Sequence, residues 1–540
     1  MSKKEIKELK FEELTVEQKL GITTVAYCDE RHPLDVDYVE KRIRERAVGA
    51  IWVVPNCEAH FDIIKRLKDA ADYPILVFTD AEAGFGDYTI GRQLPLAIAD
   101  STELAYTFGK VTALAAREKG YNVVCNPVVD MNEKNSVCGG VIRTLGYDKY
   151  RVTELAGAMA RGMHDAGVLT VAKHYPGKSK KDACNIDSHM AETASDATAE
   201  EMLDYNLYPY IELDREGLID GVMLRHARFS RIDPDYPFSL SAKGIGLLRD
   251  QGFEGFAVTD ALDMIGVVAK FGKFGSIALS IGNAGALSLP FDADNESIMT
   301  ELKRSYDEGK IPDGVLDAAV RRVLAAQHKL TEMQPKYDVI TDEDKATFKR
   351  INYDSVIAKA DEGLEYTVSR DGRHCFVILT ATELDLKDDT KVVEDTMKTV
   401  WYDPYRIKAK IEEYFPNSFV TSVNEYPSPL QNRRVLRDIM GYETLKPYDD
   451  VVFITFNQSQ TYIGRECFSS RIIALFEALD VTKSVSAVLH FGNPFLVEEL
   501  PHISRIILGT ASREGVEAGI DVLAGEYPAL GKPVYNVKFK

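Results

Sequence analysis

The first 330 residues repeat one alternation eight times: a short apolar or β-branched run ending in a polar residue, then a longer stretch with helical periodicity. The runs are GITTVAYC at Gly21, VGAIWVVPN at Val48, YPILVFTD at Tyr73, NVVCNPVVD at Asn122, GVLTVAKH at Gly167, IDGVMLRH at Ile219, GFAVTDALD at Gly255 and ALSLPFD at Ala286. Between them lie amphipathic segments such as HFDIIKRLKDAA and VTELAGAMARGMHDAG, with apolar residues three and four apart. Eight strand–helix units predict a (β/α)8 TIM-like barrel over residues 1–335. After Gln334-Pro335 the rhythm breaks into a charged stretch, TDEDKATFKR, so 336–370 is expected to be a linker carrying a helix. From 371 to 540 the strand-like runs HCFVILT, VVFITFN, SVSAVLHFGNP and SRIILGT alternate with helical material, which predicts a C-terminal α/β sandwich domain.

Charge and cysteine usage narrow the possible partners. Lys and Arg number 65 against 84 Asp and Glu, a net charge of −19 that repels nucleic acid and anionic membrane surfaces. The opening MSKKEIKELKFEELTVEQKL is charged throughout and lacks the apolar core of a secretory signal. The uncharged stretch from Phe274 to Phe291 contains Gly282, Asn283 and Pro290 and is a poor membrane span. Seven scattered cysteines (Cys28, Cys57, Cys125, Cys138, Cys184, Cys375, Cys467) form no CxxC pair or zinc spacing, as expected of free thiols in a reducing cytoplasm.

In such a barrel the active site sits at the carboxyl ends of the strands. The polar residues closing the runs are Asp80, Asn126, Asp130, Lys173, His174, Arg225, His226 and Asp260. Gathered round one mouth, they suit a hydroxyl-rich ligand. Three short segments, KHYPG at Lys173, DSH at Asp187 and VTDALDM at Val258, occur in an order and context that resemble glycoside hydrolase family 3, particularly its cytoplasmic β-N-acetylglucosaminidase branch. FTDAEAG at Phe78 is similar to that family's DxExG, and NPVVDMN with IRTLGYD to its strand-four region and RSFG-type turn. GVMLRH with DPDYPFSLS resembles the strand-six segment, while HFGNPFLVEELP and LAGEYPALGKPV resemble the C-terminal domain.

The resemblance implies a retaining exo-acting β-glycosidase, most simply a β-N-acetylhexosaminidase needing neither metal nor cofactor. Retaining hydrolysis requires a carboxylate nucleophile and a separate group that protonates the leaving oxygen and then activates water. Asp260, closing an apolar run, is the expected nucleophile; an Asp there also suits a helix cap. His189, oriented by Asp187, is the acid/base that the resemblance implies, since a carboxylate on one imidazole nitrogen fixes the tautomer of the other. Lys173, His174, Arg143 and Asp80 are expected to hold the sugar; ion pairing, a satisfied core histidine or a strand-ending Asp would be their ordinary structural roles. Met264 either packs under the ring or fills core.

Two departures bear on substrate. AGFGDYTIGR stands where a GGRVQR-like run is usual, and Arg92 lies too far along to replace it; GKSKK at Gly177 stands where the branch has a GHGDT-like loop. Lys178, Lys180 and Lys181 there keep open a phosphorylase, in which phosphate attacks the intermediate, besides solvated loop charge. The same residues are compatible with a β-glucosidase, with a Schiff-base aldolase using Lys173 and with a noncatalytic carbohydrate-binding protein.

Overall fold

The computed structural model describes residues 6–29, 33–55, 57–132, 140–178, 187–291, 294–380, 403–424, 440–456 and 466–540. The chain divides into two units: Met1–Tyr88, Ala105–Asn135 and Thr144–Lys345 form the first, and Ala346–Lys540 the main part of the second.

In the first unit seven parallel strands pair in chain order: β1 (Val25–Cys28), β2 (Ala50–Val53), β3 (Leu76–Thr79), β4 (Val123–Val124), β5 (Leu169–Tyr175), β6 (Gly221–Leu224) and β7 (Phe256–Thr259). The eighth run closes the circle. Leu287 bridges to Val258 and Ser288 to Thr24, with Leu287 N donating to Ala257 O at 2.8 Å and Val25 N to Ser288 O at 2.9 Å. This last strand is brief because Pro290 lacks an N–H for further pairing. The segment Phe274–Phe291 thus supplies the end of a helix, Lys273–Gly282, and the barrel's closing strand. Among the described residues no single helix is long and apolar enough to cross a membrane.

Alternation along the strands fixes what faces inward. Ala50 and Trp52, Leu76 and Phe78, Leu169 and Val171, and Phe256 and Val258 share one buried cluster. Phe78 of β3 meets the ring of Phe256 on the non-adjacent β7, centroids 5.9 Å apart, so this parity points into the barrel. Gly221 permits that packing, because a Cβ there would stand 2.6 Å from the Phe256 ring. Two residues further along, the same parity brings Asp80, Lys173 and Asp260 to the inner face of the mouth.

The second unit holds a six-stranded sheet: β8 (Ile357–Ala360), β9 (His374–Thr380), β10 (Phe419–Asn424), β11 (Asp450–Phe456), β12 (Ala487–Phe491) and β13 (Arg505–Gly509), in the order β8-β13-β12-β11-β9-β10. All pairs are parallel except β8 with β13. Val377 and Leu379 join one core cluster, Phe376 and Ile378 another, so both faces are covered in the manner of a layered α/β sandwich. Residues expected as linker are largely structural here: 342–354 are helical, and β8 pairs along the β13 edge that would otherwise present open hydrogen-bonding groups. Two stretches read as barrel sequence, Thr89–Leu104 and the short helix Gly140–Arg143, also count with this unit.

Burial in this second core makes one histidine acid-sensitive. His490 on β12 has Nε2 2.9 Å from Asn493 O and Nδ1 2.8 Å from Thr455 Oγ1. The carbonyl can only accept, so Nε2 carries the proton and the threonine hydroxyl donates to Nδ1. Desolvation pushes its pKa down to about 4. The unfolded chain, with an ordinary value of about 6.5, binds the proton first as pH falls. Stability is therefore complete above about pH 6.5 and drains away between there and about pH 4, by about 3 kcal/mol for this group. Urea unfolding of the full chain between about pH 7 and 4 should show that slope, and His490→Gln should flatten it; an unchanged slope would refute the assignment.

Candidate active site

The mouth of the barrel is built on a lysine seated between two carboxylates. Lys173, only 1% exposed, forms ion pairs with Asp80 and with Glu82 Oε1 at 2.8 Å. Asp80 is 56% exposed, so the lysine sits beneath and the aspartate is offered to a ligand. Two carboxylates favour the ammonium over the free amine that a Schiff base needs, which argues against aldolase chemistry.

His174, next on β5, is held from below by Asp130. Its backbone N–H donates to Asp130 Oδ1 at 3.1 Å, and Nδ1 lies 2.8 Å from Oδ2. Burial alone would push the Asp130 carboxyl up, but the His174 ring, its hydrogen bonds and Arg225 hold it below the usual carboxylate range. That clamp fixes the imidazole's orientation and places its proton on Nδ1.

Asp260 follows β7 directly. Its N–H donates to Leu224 O at 2.9 Å, anchoring it to the end of β6, and Ala261 N–H donates to its Oδ1 at 2.9 Å. Desolvation again acts upward; His174, His226, the Ala261 N–H and His189 outweigh it, so the carboxyl titrates below the ordinary aspartate value. It is therefore an anion at neutral pH, as a nucleophile must be. Behind it His226 is buried, with Nε2 2.8 Å from Ala261 O and Nδ1 2.7 Å from Ser239 Oγ. Burial lowers the His226 pKa. A neutral ring then donates from Nε2 to the carbonyl, and this bond holds the peptide that carries Asp260.

Asp187 and His189 form the expected dyad. Asp187 Oδ1 lies 2.7 Å from His189 Nδ1 and accepts the His189 N–H at 2.9 Å. The carboxylate is almost fully buried and the imidazole partly open, and the contact to Asp187 fixes the ring through Nδ1. The loop is tied to the connection that follows Asp260: Ile265 N–H donates to His189 O at 3.1 Å and Gly266 N–H to Ser188 O at 3.2 Å. This approach requires glycine, since a Cβ on Gly266 would stand 2.4 Å from Ser188 O and 2.6 Å from Ala191 O. Asp260 and the Asp187–His189 pair are thus tied to one short strand-to-helix connection.

Arg143 ends the helix Gly140–Arg143, which counts with the second unit, and Arg92 lies in that unit's 89–104 segment. Met264 is 5% exposed and belongs to the core cluster under the Asp260 loop. Lys178 presents its carbonyl to Asn206 Nδ2, while Lys180 and Lys181 lie outside the described residues, as do Cys138 and Cys184. Glu82 and Gly266 received no role from the sequence. Glu82 was visible as the second acid of FTDAEAG; Gly266 had no local signal. Among the described residues no group of three or more His, Cys, Asp or Glu is arranged to hold a metal ion.

Comparison with known proteins accords with this geometry. Residues 15–326 match the model of the glycosyl hydrolase family 3 N terminal domain. A β-hexosaminidase of Tolumonas auensis is 30% identical over 233 residues, which cover 41% of this chain and 68% of that protein. A glycoside hydrolase family 3 β-N-acetylglucosaminidase from Paenibacillus sp. str. FPU-7 has the same fold, with a TM-score of 0.78 at 24% identity over 97% of this chain and 99% of that one. The β-glucoside phosphorylase BglX bound to 2FGlc also shares it, with a TM-score of 0.78 at 21% identity over 97% and 95%. With the family model covering more than half of its length and the strand-end acids in place, the chain belongs to glycoside hydrolase family 3.

Proposed function

We propose that this glycoside hydrolase removes terminal β-N-acetylhexosamine residues with retention of configuration. The observation that carries the reading is the attachment of the Asp187–His189 dyad to the connection following Asp260, through Ile265 N–H to His189 O at 3.1 Å. In the first step an Asp260 oxygen bonds to C1 as the C1–O bond to the leaving group breaks, and His189 Nε2 gives its proton to the departing oxygen. In the second, Nε2 takes a proton from water while the water oxygen bonds to C1 and the ester to Asp260 breaks. Asp80 and His174 bind sugar hydroxyls, with Lys173 and Asp130 setting their positions. The cysteine spacing supports a reducing, cytoplasmic setting.

The β-hexosaminidase name of the Tolumonas relative supports the 2-acetamido sugar. Aryl β-glycosides that differ only at the 2-position test it: the N-acetylglucosaminide should be turned over at least about tenfold faster than the glucoside, the scale of one well-placed polar contact. A preference for the glucoside would overturn the sugar assignment. Phosphorolysis is the second reading, because a histidine acid/base repels an incoming anion less than a carboxylate does. Product analysis with added inorganic phosphate separates the two: free sugar alone means hydrolysis, and a sugar 1-phosphate means transfer to phosphate.

A further inference from the structure

Two large apolar side chains stand exposed beside the proton donor. Met190, the residue after His189, is 46% exposed, and Ile265, whose N–H binds His189 O, is 47% exposed. Each sits where a polar residue would meet no packing constraint: one on a turn, the other at the first position of the helix Ile265–Phe271. Their neighbours point the other way. Met264 and Val267 are buried in core, so the exposure of Ile265 is not the edge of a failing core contact. Two residues after Met190 the chain turns polar, with Glu192 paired to Arg228 at 2.5 Å.

We infer that Met190 and Ile265 form an apolar lip that binds the leaving group and selects substrates whose aglycone has an apolar portion next to the glycosidic oxygen. The inference rests on the proposed role of His189. A group that protonates the leaving oxygen lies on the aglycone side of the scissile bond, so side chains flanking it meet the aglycone rather than the sugar that is cleaved. Apolar surface left in water here recovers its hydrophobic contribution only when such a group covers it.

Alkyl β-glycosides of increasing length test this cleanly, because the basicity of the leaving alcohol barely changes along the series. Binding of methyl, butyl and hexyl β-N-acetylglucosaminides, and of the corresponding glucosides, is measured by calorimetry on Asp260→Asn, which cannot turn them over. A fully buried methylene strengthens binding by roughly fourfold, and a shallow lip should yield about tenfold in all from methyl to hexyl. The additional substitutions Met190→Gln and Ile265→Asn should flatten the trend to within about twofold, and Met190→Leu with Ile265→Val should preserve it. Affinity independent of chain length in both sugar series, or a trend that survives the polar pair, overturns the lip. Failure of the wild-type chain to cleave any aryl glycoside would instead sink the functional reading, and the binding trend would still decide the lip.

Discussion

Replacing Asp260 by asparagine is expected to lower kcat/KM on an aryl β-glycoside by at least about 10⁴-fold, the scale seen when a covalent nucleophile is removed and only binding and positioning remain. The fold should survive the change. The amide oxygen of asparagine can still accept the Ala261 N–H that now reaches Asp260 Oδ1 at 2.9 Å, and the bond from His226 to Ala261 O does not involve the side chain. What is lost is the negative charge that His174, His226, the Ala261 N–H and His189 together stabilise against burial. Because the folded Asp260 titrates below an ordinary aspartate, the wild-type nucleophile stays ionised well into the acid range, and any acid limb in its pH profile should fall below the usual carboxylate value. Intact-mass and peptide mapping after inactivation by a 2-fluoro glycoside supply the second readout. The adduct should appear on the peptide containing Asp260 in the wild type and be absent from the variant. An adduct on another carboxylate, or a variant within tenfold of wild type, would overturn the mechanism.

How much of this was legible in the sequence depended on whether the determinant was local. Barrel strands announce themselves as short continuous apolar runs, because both of their faces are buried, and the two-residue repeat of side-chain direction carries Asp80, Lys173 and Asp260 to the mouth without reference to any partner. The eighth run was legible as apolar sequence, but its reduction to the bridges of Leu287 and Ser288 depended on where Val258 and Thr24 lie, the latter at the opposite end of the barrel sequence. Thr89–Leu104 looks like ordinary barrel helix by its own periodicity; only contacts made elsewhere assign it to the second unit. In the site, the pairing of Asp187 with His189 was legible through the family resemblance of the DSH segment, whereas the reason Gly266 must be glycine is a carbonyl far upstream in the chain, at Ser188. His226 was visible as a strand-end residue, but its opposite parity to Met223, which faces the core, puts it behind the mouth rather than inside it, where it can hold Ala261.

The dyad yields the second large effect, and its signature is a dependence on the leaving group. Protonation matters most when the departing oxygen is strongly basic, so His189→Ala should cost about 10²- to 10⁴-fold in kcat/KM on an alkyl glycoside. A dinitrophenyl glycoside, whose phenolate leaves unaided, should lose far less in the first step and instead accumulate the Asp260 ester, seen as a burst of phenolate before slow turnover. Asp187→Asn should show the same pattern more weakly: its amide oxygen can still accept from His189 Nδ1 and N–H, but the charge that stabilises the imidazolium is gone. Gly266→Ala then separates chemistry from geometry. Its new methyl would stand 2.4 Å from Ser188 O and 2.6 Å from Ala191 O, backbone atoms that cannot rotate aside, so the loop carrying His189 has to shift. Since proton transfer tolerates little displacement, this variant should resemble His189→Ala in its leaving-group dependence although residue 266 touches neither substrate nor proton. If Gly266→Ala slowed alkyl and dinitrophenyl glycosides equally, the connection after Asp260 would be positioning the nucleophile alone, and the coupling of the two catalytic groups through Ile265 and Gly266 would be wrong.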